Sequence, residues 1–355
     1  MDEAVKTLFC HRHQKADGRE LLLYGRAPLE EAAGAELPPA AAGAPPHLRW
    51  HPLRGEWVGY AGARQGRTFL PQAAECPLCP ARAGAVGEIP FAQFEIAVFE
   101  NRFPAFASYT DEIPEIAGVD CARARGRCEV VVYSPDHAGS LGALGDDRLE
   151  LLIEVWGERV AALSRLGFDA VLPFENRGEE IGVTLHHPHG QIYAFGFVPA
   201  QMRRAAEAQA EAPVVARMIA DADPALFLRR GDEAVSLVPP FAMYPFEIWL
   251  CPVRRVAGPQ GLSADERRGL ARLLGDALRR LDRLFGKPMP YILTVQTAPR
   301  GFEESFHMTI EIKPFRREEA KLKYLAGVEQ GSGVFLVDVA PEEAAARLRA
   351  LDDAK

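Results

Sequence analysis

The chain has 355 residues, 48% of them hydrophobic and 25% charged, with a formal net charge of -8. That is the make-up of a globular protein long enough for two domains and a sizeable buried core, and the negative charge disfavours a nucleic-acid partner while leaving small phosphorylated ligands open. Residues 1–6 lack the pattern of a secretion signal, no run of about 18 apolar residues occurs, and six scattered cysteines make no disulfide framework, so a cytoplasmic setting without membrane partners is expected.

Residues 1–46 read as an amino-terminal arm and linker. Positions 30–46 are rich in Ala, Pro and Gly without a periodic apolar pattern, and the globular part is expected to start near His47. The cluster Cys10-His11-Arg12-His13 falls in this arm and is given no function. Cys76-Pro77-Leu78-Cys79 is a Cys-x-x-Cys knuckle, whose spacing lets two thiolates bind one tetrahedral zinc if two further ligands come from elsewhere. A thioredoxin-like redox pair uses the same spacing, but no parallel strand-helix pattern surrounds this one.

Cys128 to Tyr133 reads as a strand, and Leu149, Leu152, Ile153, Trp156, Val160 and Leu163 recur at helical spacing before a stop at Gly167. Phe168 to Phe174 is a second strand, Asn176-Arg177-Gly178 a turn, and residues 182–197 a further strand. The same order returns as a strand Glu247 to Cys251, a helix opened by a capping box at Ser263 and Glu266, a stop at Gly286, and strands Tyr291 to Val295 and Phe306 to Ile312. Pro135 and Pro252, Gly167 and Gly286, and His187 and His307 pair at a nearly constant offset of about 120 residues, the mark of an internal duplication. The expected fold is α+β, two repeats at 47–200 and 201–355, each an antiparallel sheet packed with helices, the sheets joined into one.

His186-His187-Pro188-His189-Gly190-Gln191 is the most informative run. On a strand with period two, His187, His189 and Gln191 would share a face. A neutral imidazole whose other nitrogen is held by a hydrogen bond can attack phosphorus in line, which makes His189 the candidate nucleophile and Gln191 a donor to a phosphoryl oxygen. Three adjacent imidazoles also fit a metal-binding patch, or polar residues of a buried strand. At the second repeat's equivalent positions stand Thr309 and Glu311, so chemistry is expected in the first repeat.

With Arg49-Trp50-His51-Pro52, Ser134-Pro135-Asp136-His137 and Phe174-Glu175-Asn176-Arg177-Gly178, this run resembles the galactose-1-phosphate uridylyltransferase branch of the histidine-triad superfamily. The resemblance extends from His47 to the end of the chain. It implies one structural zinc on Cys76, Cys79, His137 and His187. A second metal site present in some relatives would fall on Ala205, Gln296, Thr309 and Glu311, and is expected to be absent here. The resemblance further implies phosphate contacts by Arg64 and Arg67, enclosure of uracil and ribose by Phe99, Asn101 and Phe103, phosphoryl contacts by Asn176 and Thr184 with Gly182 leaving backbone room, and a hexose-binding stretch in which Glu329 accepts from sugar hydroxyls and Lys323 approaches phosphate. Ordinary solvated arginines and core phenylalanines are the competing readings of the first two groups.

The implied activity is exchange of UMP between UDP-glucose and galactose 1-phosphate through uridylyl-His189, in a homodimer. The rivals are an adenylyltransferase or phosphorylase acting on an ADP-sugar or dinucleotide, and a non-catalytic zinc-containing nucleotide-binding protein.

Overall fold

The computed structural model describes residues 7–29, 34–39, 44–66, 71–81, 86–108 and 113–351. Contacts group the chain into two units: one holds 1–140, 163–171 and 184–200, the other 141–162, 172–183 and 201–355.

In the first unit, strands Phe9–Gln14, Glu20–Gly25, Ile96–Glu100, Gly126–Val132 and His189–Phe195 lie side by side in that order, all antiparallel. Valines at 130–132 suit the pleated surface, and Leu21, Leu22 and Leu23 are at most 1% exposed, as expected of a strand covered on both faces. Glu100 and Glu129 stand directly opposite each other on neighbouring strands, a repulsive pair that Arg127 neutralises by reaching both, together with Glu20. This unit also holds a small sheet of His47–His51, Glu56–Tyr60 and Cys121–Arg123 and a parallel pair of Ala35–Glu36 with Val86–Gly87.

The expected arm is therefore partly core. Its 9–14 and 20–25 segments form a hairpin of the main sheet, because Glu20-Leu-Leu-Leu-Tyr-Gly25 is too apolar to be left in water. Cys10 to His13 sit in its outer strand, where His13 meets Glu36 Oε1 at 2.6 Å. Of the proposed linker, 30–33 and 40–43 lie outside the described residues.

In the second unit the order is Leu172–Arg177 (the continuation of strand Ala170–Arg177), Tyr291–Gln296, Thr309–Pro314, Ile248–Pro252, Ala234–Leu237 and Phe227–Arg230. Helix Ala264–Leu284 opens with the expected capping box: Ser263 Oγ accepts from Glu266 N at 3.2 Å, and Glu266 Oε2 from Ser263 N at 2.7 Å. Helix Asp146–Arg165 was expected in the first repeat, yet its residues to 162 pack with the second unit. The reason is local: a Cβ on Gly275 of helix Ala264–Leu284 would come within 3.1 Å of Leu149, so the missing side chain lets the two helices close on each other.

Strand, helix, strand, strand recurs at 126–132, 146–165, 170–177 and 189–195, and again at 248–252, 264–284, 291–296 and 309–314. Gly167 and Gly286 end the two helices with φ of +86° and +63°, a conformation glycine adopts without steric cost. Several boundaries differ from expectation, the strand expected from Phe306 starting only at Thr309. Residues 182–188 are loop, the strand starting only at His189, because Pro188 has no N–H for a ladder. The strand before it runs on through Arg177, placing the turn at Gly178.

Candidate active site

On strand His189–Phe195, His189, Gln191 and Tyr193 share the half-exposed face while Gly190, Ile192 and Ala194 are buried. Register extends this face: Gln191 lies opposite Val130 and Val130 opposite Phe99, and His189 lies in row with Val132 and Ala97. Of these, His189, Gln191, Val130 and Phe99 line one side of a cavity of roughly 420 Å³, to which Asn101, Phe103 and Thr184 also contribute. Six positions singled out by the sequence thus meet at one concavity. Asn101 Oδ1 accepts from Phe103 N at 2.8 Å, which holds the two residues in one tight loop.

His189 Nδ1 donates to the carbonyl oxygen of His187 at 2.7 Å, so its proton sits on Nδ1 and Nε2 keeps its lone pair. Burial lowers the pKa of this imidazole, favouring the neutral ring that a nucleophile requires.

His187 is in the preceding loop, fully buried and turned away toward the cysteines. Its Nε2 donates to Ser134 O at 2.8 Å, which leaves Nδ1 as the unprotonated nitrogen facing the thiols. Cys76 and Cys79 Sγ lie 3.9 and 3.6 Å from that Nδ1, and Cys79 Sγ 3.5 Å from His137 Nδ1. All four donor atoms fall within 4.8 Å of one another, a group that could hold a metal ion. An ion about 2.3 Å from sulfur and about 2.0 Å from nitrogen sets tetrahedral ligands roughly 3.5 Å apart, so the group fits zinc-like coordination with little movement. Burial raises the Cys76 thiol to about 11 and depresses His187 to about 4. Neutral imidazole is the ligand form, and a cation would supply the charge that a buried thiolate needs.

Arg64 Nη1 donates to the hydroxyl of Tyr193 at 3.0 Å, tying the 62–66 turn to the strand one step beyond Gln191. Arg67 lies outside the described residues. Asn176 and Gly182 belong to the second unit and do not line this cavity: Asn176 stands opposite Ile292, and Gly182, with φ of +82°, ends the turn Glu179–Ile181. Lys323 and Glu329 are not among its lining residues either; both are buried and paired with each other, Lys323 Nζ also donating to Leu336 O at 2.8 Å.

Ala205, Gln296, Thr309 and Glu311, matched only by resemblance, do come together around a second cavity of roughly 210 Å³ within the second unit. There Thr309 Oγ1 donates to Glu311 Oε1 at 3.2 Å and Lys313 Nζ to Glu311 Oε2 at 2.6 Å. The duplicated frame is kept alongside: His307 Nε2 donates to Pro252 O at 2.8 Å, as His187 does to Ser134. Sequence reasoning missed Glu88 and Arg102, which also line the first cavity. Neither falls on a periodic segment, and their places follow from loops around the knuckle and after the strand Ile96–Glu100.

The fold and site thus define a two-repeat α+β protein, each repeat a strand-helix-strand-strand unit, with a pinned imidazole on the fourth element of the first repeat and a Cys2His2 group beside it. The N-terminal-domain profile of galactose-1-phosphate uridyl transferase matches residues 41–199, and the C-terminal-domain profile residues 217–355. The chain belongs to the galactose-1-phosphate uridylyltransferase family.

Galactose-1-phosphate uridylyltransferases of Thermotoga maritima and Streptomyces lividans are each 34% identical to it, the alignments covering 85% and 95% of this chain and 97% and 96% of theirs. A solved uridylyltransferase structure superposes with a TM-score of 0.76 at 30% identity, over 86% of this chain and 97% of the other. An ADP-glucose phosphorylase from Arabidopsis thaliana shares the fold, with a TM-score of 0.67 at 22% identity over 87% of this chain and all of the other. No helix among the described residues is long and apolar enough to cross a membrane.

Proposed function

We propose that this protein transfers UMP from UDP-glucose to galactose 1-phosphate through a covalent intermediate on His189. The observation that carries the reading is the pinned imidazole: Nε2 holds a lone pair in a cavity sized for a nucleotide, while Nδ1 is committed to the His187 carbonyl. The names of the relatives support the choice of substrates.

In the first step Nε2 attacks the α-phosphorus, an N–P bond forms, and the P–O bond to glucose 1-phosphate breaks with its electron pair leaving on oxygen. In the second, a phosphate oxygen of galactose 1-phosphate attacks the same phosphorus and the N–P bond breaks, returning the neutral imidazole. A sugar phosphate departs without protonation, so the burden falls on orientation and on donors to the phosphoryl oxygens. Gln191 and Thr184 serve as those donors from the cavity wall, joined in this reading by Asn176 and the backbone near Gly182, with Arg64 and Arg67 neutralising phosphate charge. Phe99, Asn101 and Phe103 take the uracil and ribose, Glu329 accepts from hexose hydroxyls, and Lys323 approaches phosphate. Zinc held by Cys76, Cys79, His137 and His187 would fix the loop that aims His189, a structural part. A homodimer in the cytoplasm completes the reading.

The test is incubation with UDP-glucose labelled at the α-phosphate and no acceptor. Retained acid-labile label with stoichiometric release of glucose 1-phosphate supports the reading. Labelling from ADP-glucose or a dinucleotide instead would make the protein an adenylyltransferase, and binding without any label a nucleotide-binding protein.

A further inference from the structure

Glu88 lines the nucleotide cavity at 5% exposure and is held from three sides. Its N–H donates to Pro77 O at 2.8 Å, inside the Cys-x-x-Cys knuckle. Its Oε2 receives both Lys15 Nζ and, at 2.8 Å, Arg19 Nη2. Lys15 also donates to the Glu88 carbonyl at 2.9 Å and stands 5.3 Å over the ring of Phe99, and Arg19 is itself fixed by Asp17 and by the carbonyl of Glu100.

Both cations come from the turn of the hairpin Phe9–Gln14 and Glu20–Gly25, which lies ahead of the 41–199 segment matched by the family profile. Two cations on one carboxylate oxygen, Lys15 buried and Arg19 half-buried, fix the plane of the group. The other oxygen, Oε1, accepts from no group among the described residues and belongs to a side chain on the cavity wall. An ionised oxygen on that wall is open to a donor carried by a bound ligand.

We infer that Glu88 is a specificity-determining residue, its Oε1 accepting a hydrogen bond from a donor on the bound nucleotide, with Lys15 and Arg19 as its positioning residues. The inference rests on the uridylyl reading. Two donors of a uridine nucleotide have the required chemistry: the imide N3–H of uracil and a ribose hydroxyl. If the imide is the donor, the same carboxylate repels cytosine, which presents an acceptor at N3.

The experiment is calorimetric binding of UMP, N3-methyl-UMP, 2′-deoxy-UMP, 3′-deoxy-UMP, CMP and AMP to the wild type and to Glu88→Gln. In the variant, Lys15 and Arg19 claim the amide oxygen and turn the NH2 toward the cavity, replacing an acceptor by a donor. The expected result is a loss of about 10-fold or more in UMP affinity, the scale of a charge-assisted hydrogen bond, and collapse of the wild type's preference for UMP over one analogue class. Collapse on the N3-methyl compound, with CMP gaining, identifies the imide; collapse on a deoxy compound identifies the hydroxyl.

Wild-type ratios across all ligands in a folded Glu88→Gln protein overturn the inference. If that variant does not fold, Glu88→Asp, which keeps the charge but withdraws the oxygen, is read in the same way. A wild type that binds AMP and not UMP overturns the uridylyl reading instead, and Glu88 is then judged on AMP and its deoxy analogues.

Discussion

His189 donates its Nδ1–H to the backbone carbonyl of His187, 2.7 Å away, while the ring of His187 faces two thiols on the other side. One residue thus joins the Cys2His2 group to the imidazole proposed as nucleophile. Disturbance of the cysteines should be felt at His189 through a single hydrogen bond and two residues of backbone.

His189→Ala removes the attacking nitrogen from a half-exposed position and leaves the buried side of the strand untouched. Turnover should fall by ~10⁴-fold or more, with no label retained from UDP-glucose and a thermal midpoint within about 2 °C of the parent. A folded His189→Ala protein that turns over at the parental rate would sink the covalent mechanism.

Cys76→Ala takes one donor from the four-atom group. Zinc content, read by plasma mass spectrometry, should fall toward zero, and the thermal midpoint by on the order of 10 °C. Treatment of the parent with a strong chelator should reproduce both, and the yield of labelled enzyme per folded molecule should fall with them. Full labelling after metal loss would show that the His187 carbonyl holds its place unaided.

Tyr193→Phe deletes the hydroxyl that receives Arg64. With Arg64 less constrained, the KM for UDP-glucose should rise about 10-fold while kcat changes less, since the contact orients a phosphate-binding side chain and leaves the reacting atoms in place. An unchanged KM would remove Arg64 from the substrate site.

Glu175 is buried beneath Tyr291, whose hydroxyl donates to its Oε2 at 3.1 Å, and burial pushes its carboxyl up to about 8. A carboxyl raised on folding favours the native state below its unfolded pKa, near 4.5, and that contribution is lost as pH rises through about 8. Urea melts should therefore show the parent losing stability between pH 5 and pH 8.5, by a few kcal/mol at most. Glu175→Gln, neutral at every pH and still an acceptor for Tyr291, should flatten that slope and be the more stable protein at the alkaline end. Parallel slopes for the two proteins would show that Glu175 ionises freely in the native state.

Much of the chemistry is legible in the linear chain because it depends on short spacings. The period of a strand puts His189 and Gln191 on one face, two residues between cysteines set a chelate bite, and glycine at 167 and 286 ends two helices in the same way. The duplication is equally legible, since its landmarks repeat at a steady offset. What sequence reading loses is whatever depends on long-range burial. Glu20 to Gly25 looks like part of a loose arm until neighbouring strands are present to cover it, and helix Asp146–Arg165 looks like a first-repeat element until Gly275 is seen to admit Leu149.

By itself the sequence determined the repeat, the motif-bearing strand and the Cys76-Cys79 pair, since these follow from local dihedral preference and fixed residue spacing, whereas His137 and His187 joined that pair only through the family resemblance. Tertiary structure alone decided which nitrogen of each histidine carries its proton, and that Lys15 and Arg19 reach Glu88 across about seventy residues of chain. Those outcomes turn on hydrogen-bond partners and burial, and both exist only once distant segments have packed.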